Sequence, residues 1–119
     1  MISKLSHVSI FVPDQEAALD FYTNCLGFKI HTDATFGDSR WLTLYAPDAP
    51  DFELCLMKGN PTQTSAPVGA FITNDCMGTY KELSEKGVHF FGEPKEESWG
   101  IGVAFADCAG NVFYLNQPK

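Results

Sequence analysis

The sequence predicts an α+β fold in which two β-α-β-β-β modules follow each other within a single domain. Residues 7–30 read as strand, helix and strand, and residues 68–91 repeat that order. Each of these segments is followed by two strands with the spacing of a hairpin. Because equivalent residues of the two segments are about 61 positions apart, we interpret the chain as an internal repeat.

The first module begins with a strand in which Val8, Ile10 and Val12 alternate with the other side chains. Asp14 then stands in the position of a helix N-cap, and Gly27 stands where a helix usually ends. Between them, apolar residues recur at the spacing of a helix with one buried face: Ala18, Phe21, Tyr22, Cys25 and Leu26. Two further strands are expected at 40–46 and 52–58.

The second module repeats these signals. Asp75 is the equivalent of Asp14, and Gly87 is the equivalent of Gly27. Tyr80 and Leu83 mark the buried face of its helix, and hairpin strands are expected at 101–107 and 111–117. We therefore expect one domain, 1–119, with a first module at about 1–58, a linker rich in Pro, Gly and Thr at 59–67, and a second module at about 68–119. The sheet is expected to be mixed, cupped and partly open, with the helices outside it.

Composition excludes several classes of function. The net charge is −7 and Arg40 is the only arginine, so the chain lacks the basic stripe that nucleic-acid binding needs. No apolar run approaches the roughly 18 residues of a membrane span, and no signal peptide is recognisable at the start, so we expect a cytoplasmic protein. The four cysteines form no C-x-x-C pair, which favours free thiols.

Two stretches carry a resemblance to a known family. "HVSIFVPDQEAALDFYTNCLGFKI" and the closing "DCAGNVFYLNQP", preceded by "SWGIGVAFAD", resemble the corresponding segments of the vicinal oxygen chelate superfamily. That superfamily includes glyoxalase I, bleomycin-resistance proteins, fosfomycin-resistance enzymes and extradiol dioxygenases. The resemblance implies the fold described above, a small-molecule ligand and a homodimer, whereas the reaction is left open because the fold hosts both enzymes and binding proteins.

The resemblance also implies where a metal ion would bind. In metal-dependent members each module supplies two ligands, which here fall on His7 and Glu53 in the first module. The second-module equivalents are Val68 (or Gly69) and Tyr114, which are non-ligands or poor ligands. His31 and His89 lie away from the positions that the family uses. We therefore expect no metal cofactor; the alternative is one divalent ion such as Zn, Ni, Mn or Fe held by His7 and Glu53.

Strand alternation predicts which side chains face a ligand. If the aliphatic residues of each strand face the helices, the intervening side chains line a cleft that mixes aromatic and polar groups. The candidate ligand-binding residues are His7, Ser9, Trp41, Tyr45, Glu53, Cys55, Trp99, Tyr114 and Asn116. Phe52, Leu54 and Leu56 are expected in the core. Trp99 precedes a strand and either covers the cleft or packs on the helix of its own module.

Three hypotheses about function follow. The first is a metal-free binding protein of the bleomycin-resistance type, with aromatic stacking on the ligand and Glu53 meeting a positive or hydrogen-donating group. The second is a metal-dependent lyase, isomerase or dioxygenase that uses His7 and Glu53. The third is a metal-free enzyme with Glu53 as the catalytic base and Tyr114 or His7 as the proton donor. An ion pair between His7 and Glu53 is a further interpretation of these two residues, and Arg40 either anchors an anion or pairs on the surface.

Overall fold

The computed structural model describes residues 1–61 and 66–119. The chain divides into two compact units, residues 1–61 and 62–119. The predicted linker at 59–67 therefore lies partly outside the described residues. In both units a mixed sheet and a helix follow the predicted order, so the α+β class is confirmed.

Unit 1 contains one mixed sheet of four strands. Along the chain its elements are β1 (His7–Val12), α1 (Gln15–Asp20), a π-helical turn (Phe21–Cys25), β2 (Lys29–Phe36), β3 (Ser39–Ala46) and β4 (Ala49–Lys58). The strand order across the sheet is β1-β4-β3-β2. The first and last strands of the unit are parallel neighbours, whereas β4, β3 and β2 pair in antiparallel fashion.

Unit 2 repeats this topology with one additional short strand. Its elements are β5 (Gly69–Ile72), α2 (Cys76–Glu85), β6 (His89–Phe90), β7 (Lys95–Glu97), β8 (Gly100–Ala106) and β9 (Val112–Pro118). The strand order is β5-β9-β8-β6, and β7 also pairs with β8. β7 carries no signal in the sequence, because its three residues are all charged and exposed and show no apolar alternation.

Both helices begin where the sequence predicts, but α1 ends at Asp20 and the predicted helix continues as a π-helical turn to Cys25. The Asp14 carboxylate accepts hydrogen bonds from the backbone N–H groups of Glu16 and Ala17, and the Asp75 carboxylate accepts one from Gly78. These bonds satisfy N–H groups that have no partner within the helix. After the helical segments the chain turns at Gly27 (φ 78°) and Gly87 (φ 91°), which lie in the left-handed region that glycine adopts without strain.

In each unit one face of the sheet is turned toward the helix. In unit 1 Arg40 contacts Glu16 of α1, so its side of β3, which includes Leu42 and Leu44, is the helix-facing side. In unit 2 the backbone N–H of Cys76 donates to the Gln117 side chain, which places Phe113 and Leu115 on the side of α2. We call the opposite face of each sheet its helix-free face.

Burial confirms most of the predicted core and corrects two positions. Ile10, Leu54 and Leu56 are almost fully buried, as alternation predicts. Phe52 and Val8, however, are 39% and 38% exposed. Phe52 precedes the stretch of β4 that pairs with β1, and Val8 lies on an outer strand of the sheet, so both have fewer neighbours than alternation alone implies.

The helices of this fold are short. Among the described residues, none combines the length and the apolar character that crossing a membrane requires.

Candidate functional site

The register of unit 1 brings the predicted polar residues together on its helix-free face. His7 lies beside Glu53, and Ser9 lies beside Cys55, because β1 and β4 are parallel and in direct register. Across the antiparallel pair, Thr43 of β3 lies opposite Cys55. Trp41 and Tyr45 occupy the same face of β3, since each is two positions from Thr43.

The carboxylate of Glu53 lies against the imidazole of His31. The Nδ1 atom of His31 lies 3.3 Å from Oε1 of Glu53 and 2.8 Å from the hydroxyl of Thr32. The pairing of β2 with β3 shifts between Ile30 and Thr32, so His31 occupies a β-bulge. A bulge changes the direction of a side chain, which explains why a residue outside the expected ligand positions reaches Glu53.

His7 has different partners from those expected. Its Nδ1 lies 3.0 Å from the Ser6 hydroxyl, and its ring meets the ring of Trp41 edge to face at a centroid distance of 5.6 Å. The suggested ion pair between His7 and Glu53 is thus wrong, although the two residues are neighbours in register. His31 was set aside in the sequence interpretation because it lies away from the ligand positions that the family uses, and the structure places it against Glu53 instead.

The aromatic residues of this face contact the two histidines. The Tyr45 ring lies 6.4 Å from that of His31 at an interplanar angle of 86°, which is an edge-to-face arrangement like that of His7 and Trp41. Such contacts hold the imidazole rings in place while a part of each aromatic side chain remains exposed. Unit 1 therefore presents a carboxylate with aromatic side chains on the same face.

Cys55 lies beneath this surface. It is fully buried, it shares a hydrogen bond with Ser9, and burial raises the pKa of its thiol. A thiol with a raised pKa stays protonated at neutral pH and is a poor nucleophile. Burial outweighs the hydrogen bonds that would favour the thiolate, so Cys55 acts as a small buried residue of the face.

Unit 2 places Trp99 and Tyr114 on its helix-free face. Tyr114 lies on β9 opposite Ala104 of β8, and Asn116 lies opposite Gly102. The rings of Trp99 and Tyr114 are 6.1 Å apart and tilted by 53°. A Cβ atom at Gly102 would lie 2.6 Å from each of these rings, so both rest on the bare backbone of that glycine. Of the two alternatives for Trp99, contact with the helix of its module is therefore wrong.

The sequence of the chain was compared with models of known protein families. Residues 4–115 match the family model of the Glyoxalase/Bleomycin resistance protein/Dioxygenase superfamily. The chain belongs to this superfamily. The resemblance drawn from the two quoted stretches is thereby confirmed over nearly the whole chain.

One protein sequence and two crystal structures from the comparisons are similar to almost the whole of this chain. YetH of Bacillus subtilis (strain 168) is 36% identical, and the match covers 98% of this chain and 100% of YetH. The crystal structure of UcmS2 gives a TM-score of 0.89 at 36% identity, covering 98% of this chain and 99% of UcmS2. The crystal structure of TnmS3, described as an antibiotic binding protein from Streptomyces sp. CB03234, gives a TM-score of 0.85 at 38% identity. The match covers 99% of this chain and 98% of TnmS3.

Few of the positions at which the superfamily resemblance implies a metal ligand carry a ligating side chain. Tight catalytic sites use three protein ligands and an open position. Within residues 1–61 and 66–119, no three His, Cys, Asp or Glu side chains form a group that could hold an ion. Glu53 lies against His31. In unit 2 the residue opposite Tyr114 is Ala70, not Val68 or Gly69 as the offset of 61 predicted, so of this pair only the phenol carries a donor atom.

Proposed function

We propose that this superfamily member is a small-molecule-binding protein that functions without a metal ion. The observation that carries the proposal is the pairing of Glu53. At this position the superfamily resemblance implies a metal ligand, and here the carboxylate is engaged by the imidazole of His31 at 3.3 Å. Its second-module equivalent is Tyr114, whose ring lies against Trp99. Residues that would bind an ion thus contact other side chains.

The chemistry of the helix-free faces supports an aromatic ligand. Trp41 and Tyr45 in unit 1, and Trp99 and Tyr114 in unit 2, are partly exposed rings that stack on planar groups. The side chain of Glu53 is 25% exposed, so its carboxylate can accept a hydrogen bond from a donor or a cation while His31 holds it. The net charge of −7 favours the approach of cationic ligands.

The comparison with TnmS3 supports binding as the activity. That protein is described as an antibiotic binding protein, and its crystal structure matches almost the whole of this chain at 38% identity. We propose that this chain likewise holds a small organic molecule. Sequestration, in which a ligand is bound and not changed, requires stacking surfaces and polar anchors, and it needs no catalytic group.

A metal-free enzyme is the second candidate, because a carboxylate beside an imidazole is also suited to proton transfer. In that case Glu53 removes a proton from the substrate, and Tyr114 or His7 supplies one. Substitution of Glu53 separates the two candidates. Turnover that is abolished in Glu53→Gln indicates the enzyme, whereas a binding protein loses only part of its affinity.

The proposal is tested with 9-aminoacridine, a planar aromatic cation, by quenching of tryptophan fluorescence with and without EDTA. We expect saturable binding that EDTA does not alter, about fivefold weaker in Glu53→Gln because one partly exposed charged contact is lost. Glu85→Gln, at an exposed position of α2, is the matched control and should bind as the wild type does. Binding that EDTA abolishes, that Zn, Ni, Mn or Fe restores, and that His7→Ala removes would contradict the proposal.

A further inference from the structure

The side-chain oxygen of Asn116 is buried and has no hydrogen-bond donor. Asn116 lies on β9, and its backbone carbonyl accepts a hydrogen bond from Thr73 at 2.8 Å. Its Oδ1 atom, in contrast, accepts no hydrogen bond from any residue that the structure describes. An unpaired buried carbonyl is costly, so such an atom calls for a physical reason.

The neighbours of Asn116 on the sheet have no side-chain donor to offer. Gly102 of β8 lies directly opposite on one side and has no side chain. Ile72 of β5 lies opposite on the other side and is apolar. The Tyr114 hydroxyl and the Trp99 indole N–H are donors on the same face, yet neither is bonded to this oxygen. The acceptor is therefore left free on a face that otherwise carries aromatic side chains.

The rings of Trp99 and Tyr114 lie over Gly102, which is directly opposite Asn116 in the sheet. A Cβ atom at Gly102 would lie 2.6 Å from Cη2 of Trp99 and 2.6 Å from Cε2 of Tyr114. Real Cβ atoms do not approach other atoms this closely, so any larger residue would displace both rings. The glycine thus allows Trp99 and Tyr114 to lie beside the residue that carries the unpaired acceptor.

We propose that Trp99, Tyr114 and Asn116 form a subsite for a planar aromatic group that bears an O–H or N–H donor. This inference rests on the proposed function and specifies the chemical class of its ligand. The aromatic group stacks on the indole and phenol rings, and its donor gives the Asn116 Oδ1 the hydrogen bond that the protein does not supply. An analogue without the donor leaves the acceptor unpaired and binds less tightly.

A donor reaches a buried oxygen only if a neighbouring side chain moves. Trp99 is 45% exposed and lies in the turn between β7 and β8, so its indole has more freedom than Tyr114, which is held within β9. Ligand entry therefore displaces the indole of Trp99. Its fluorescence should change on binding even when Trp41 has been replaced by Phe.

The test compares 2-naphthol with 2-methoxynaphthalene by isothermal titration calorimetry. The two probes share one ring system, but only the first has a donor, and the second is the more apolar. We expect 2-naphthol to bind about tenfold tighter to the wild type, because one hydrogen bond to a buried acceptor is gained. In Asn116→Leu the two affinities should become equal. Asn74→Leu, at an exposed asparagine before α2, is the matched control and should keep the preference.

A second pair of variants tests the aromatic part of the subsite. Gly102→Ala forces both rings to shift and should weaken both probes about equally, by roughly fivefold, with the donor preference retained. Gly69→Ala is its control, because a Cβ there meets Phe113 at 3.6 Å, an ordinary contact distance.

Equal affinities of the two probes for the wild type would overturn the subsite and leave the proposed function standing. A preference for 2-naphthol that survives in folded Asn116→Leu would also overturn the subsite and leave the proposed function standing. Failure of both naphthalene probes and of 9-aminoacridine to bind would count against the proposed function itself. The comparison of probes on the wild type needs no variant to fold.

Discussion

At the scale of single residues, Asp107 organises the turn that joins β8 to β9. Its Oδ1 atom accepts hydrogen bonds from the backbone N–H groups of Ala109 at 2.9 Å and Asn111 at 2.8 Å. Its Oδ2 accepts a third from the Asn111 side chain at 3.0 Å. Both side chains are buried. The "DCAGN" segment, which carried part of the family resemblance, thus has a structural role that is independent of any ligand.

Replacing Asp107 should destabilise the protein strongly. Asp107→Ala removes the carboxylate that accepts hydrogen bonds from the N–H groups of Ala109 and Asn111 and from the buried side chain of Asn111. We expect a loss of about 3 kcal/mol in the free energy of unfolding. Asp48→Ala is the matched control, since Asp48 is exposed in the hairpin turn between β3 and β4. Urea denaturation followed by circular dichroism measures both. Equal midpoints for the two variants would show that the hydrogen bonds of Asp107 contribute little.

At the scale of elements, Arg40 ties two strands and a helix together in unit 1. From β3 its guanidinium donates to both carboxylate oxygens of Asp33 on β2, at 2.9 and 2.8 Å. A third bond reaches Glu16 of α1 at 3.0 Å. These bonds hold the pKa of the Asp33 carboxyl below its usual value. Of the two interpretations of Arg40, the structure therefore supports pairing on the surface.

The contribution of Arg40 should depend on pH. The pKa of Asp33 is lower in the folded chain than in the unfolded chain. The pairing therefore stabilises the fold fully at pH values above the pKa of Asp33 in the unfolded chain. This stabilisation is lost as the pH falls through the pKa of Asp33 in the folded chain. Since Asp33 and Glu16 are exposed, we expect Arg40→Gln to cost only about 1 kcal/mol at pH 7. The difference from the wild type should disappear between about pH 5 and pH 2.

Urea denaturation at a series of pH values measures this difference. Lys86→Gln is the control, because Lys86 forms a single ion pair with Glu82 at 3.9 Å along α2. That variant should change the free energy of unfolding by less than about 0.5 kcal/mol. A cost of Arg40→Gln that persists unchanged in acid would mean that its alkyl chain, and not its charge, stabilises the unit.

The features of the fold that the sequence predicted are those that depend on residues close together in the chain. Asp14 and Asp75 cap helices, and Gly27 and Gly87 follow them, because these functions depend on the residues within one or two turns. The resemblance to the superfamily implied that His7 and Glu53 lie together, and the parallel register of β1 with β4 agrees with it. The offset of about 61 residues did not hold for every strand, because Tyr114, 61 positions after Glu53, lies opposite Ala70, which is 63 positions after His7.

The rest of the site depends on contacts that no short segment contains. The bulge at His31 arises from the way β2 pairs with β3, and alternation within β2 alone gives no sign of it. The position of Trp99 depends on the missing side chain of Gly102, which comes close only when β8 pairs with β9. Pairing between strands therefore decided both of the features that the sequence left open.

At the scale of the whole molecule, several large apolar side chains are exposed to solvent. Phe36, Ile72 and Phe91 are each more than half exposed. β1 and β5 are outer strands of their sheets, and outer strands leave backbone groups and apolar side chains uncovered. A second copy of the chain would cover such surface, and this is the physical basis for expecting a homodimer.

Sedimentation equilibrium tests the homodimer directly. We expect a species of twice the chain mass of 13.1 kDa at micromolar concentration. Because each chain carries a net charge of −7, the two copies repel each other, so the dimer should tighten as salt rises from about 0.05 to 0.5 M.

Ile72→Lys, which adds a cation on the outer strand β5, should weaken association at least about tenfold if apolar contact drives it. Met77→Lys, at an exposed position of α2, is the control and should leave the mass unchanged. A mass of one chain at every concentration and salt level would contradict the homodimer.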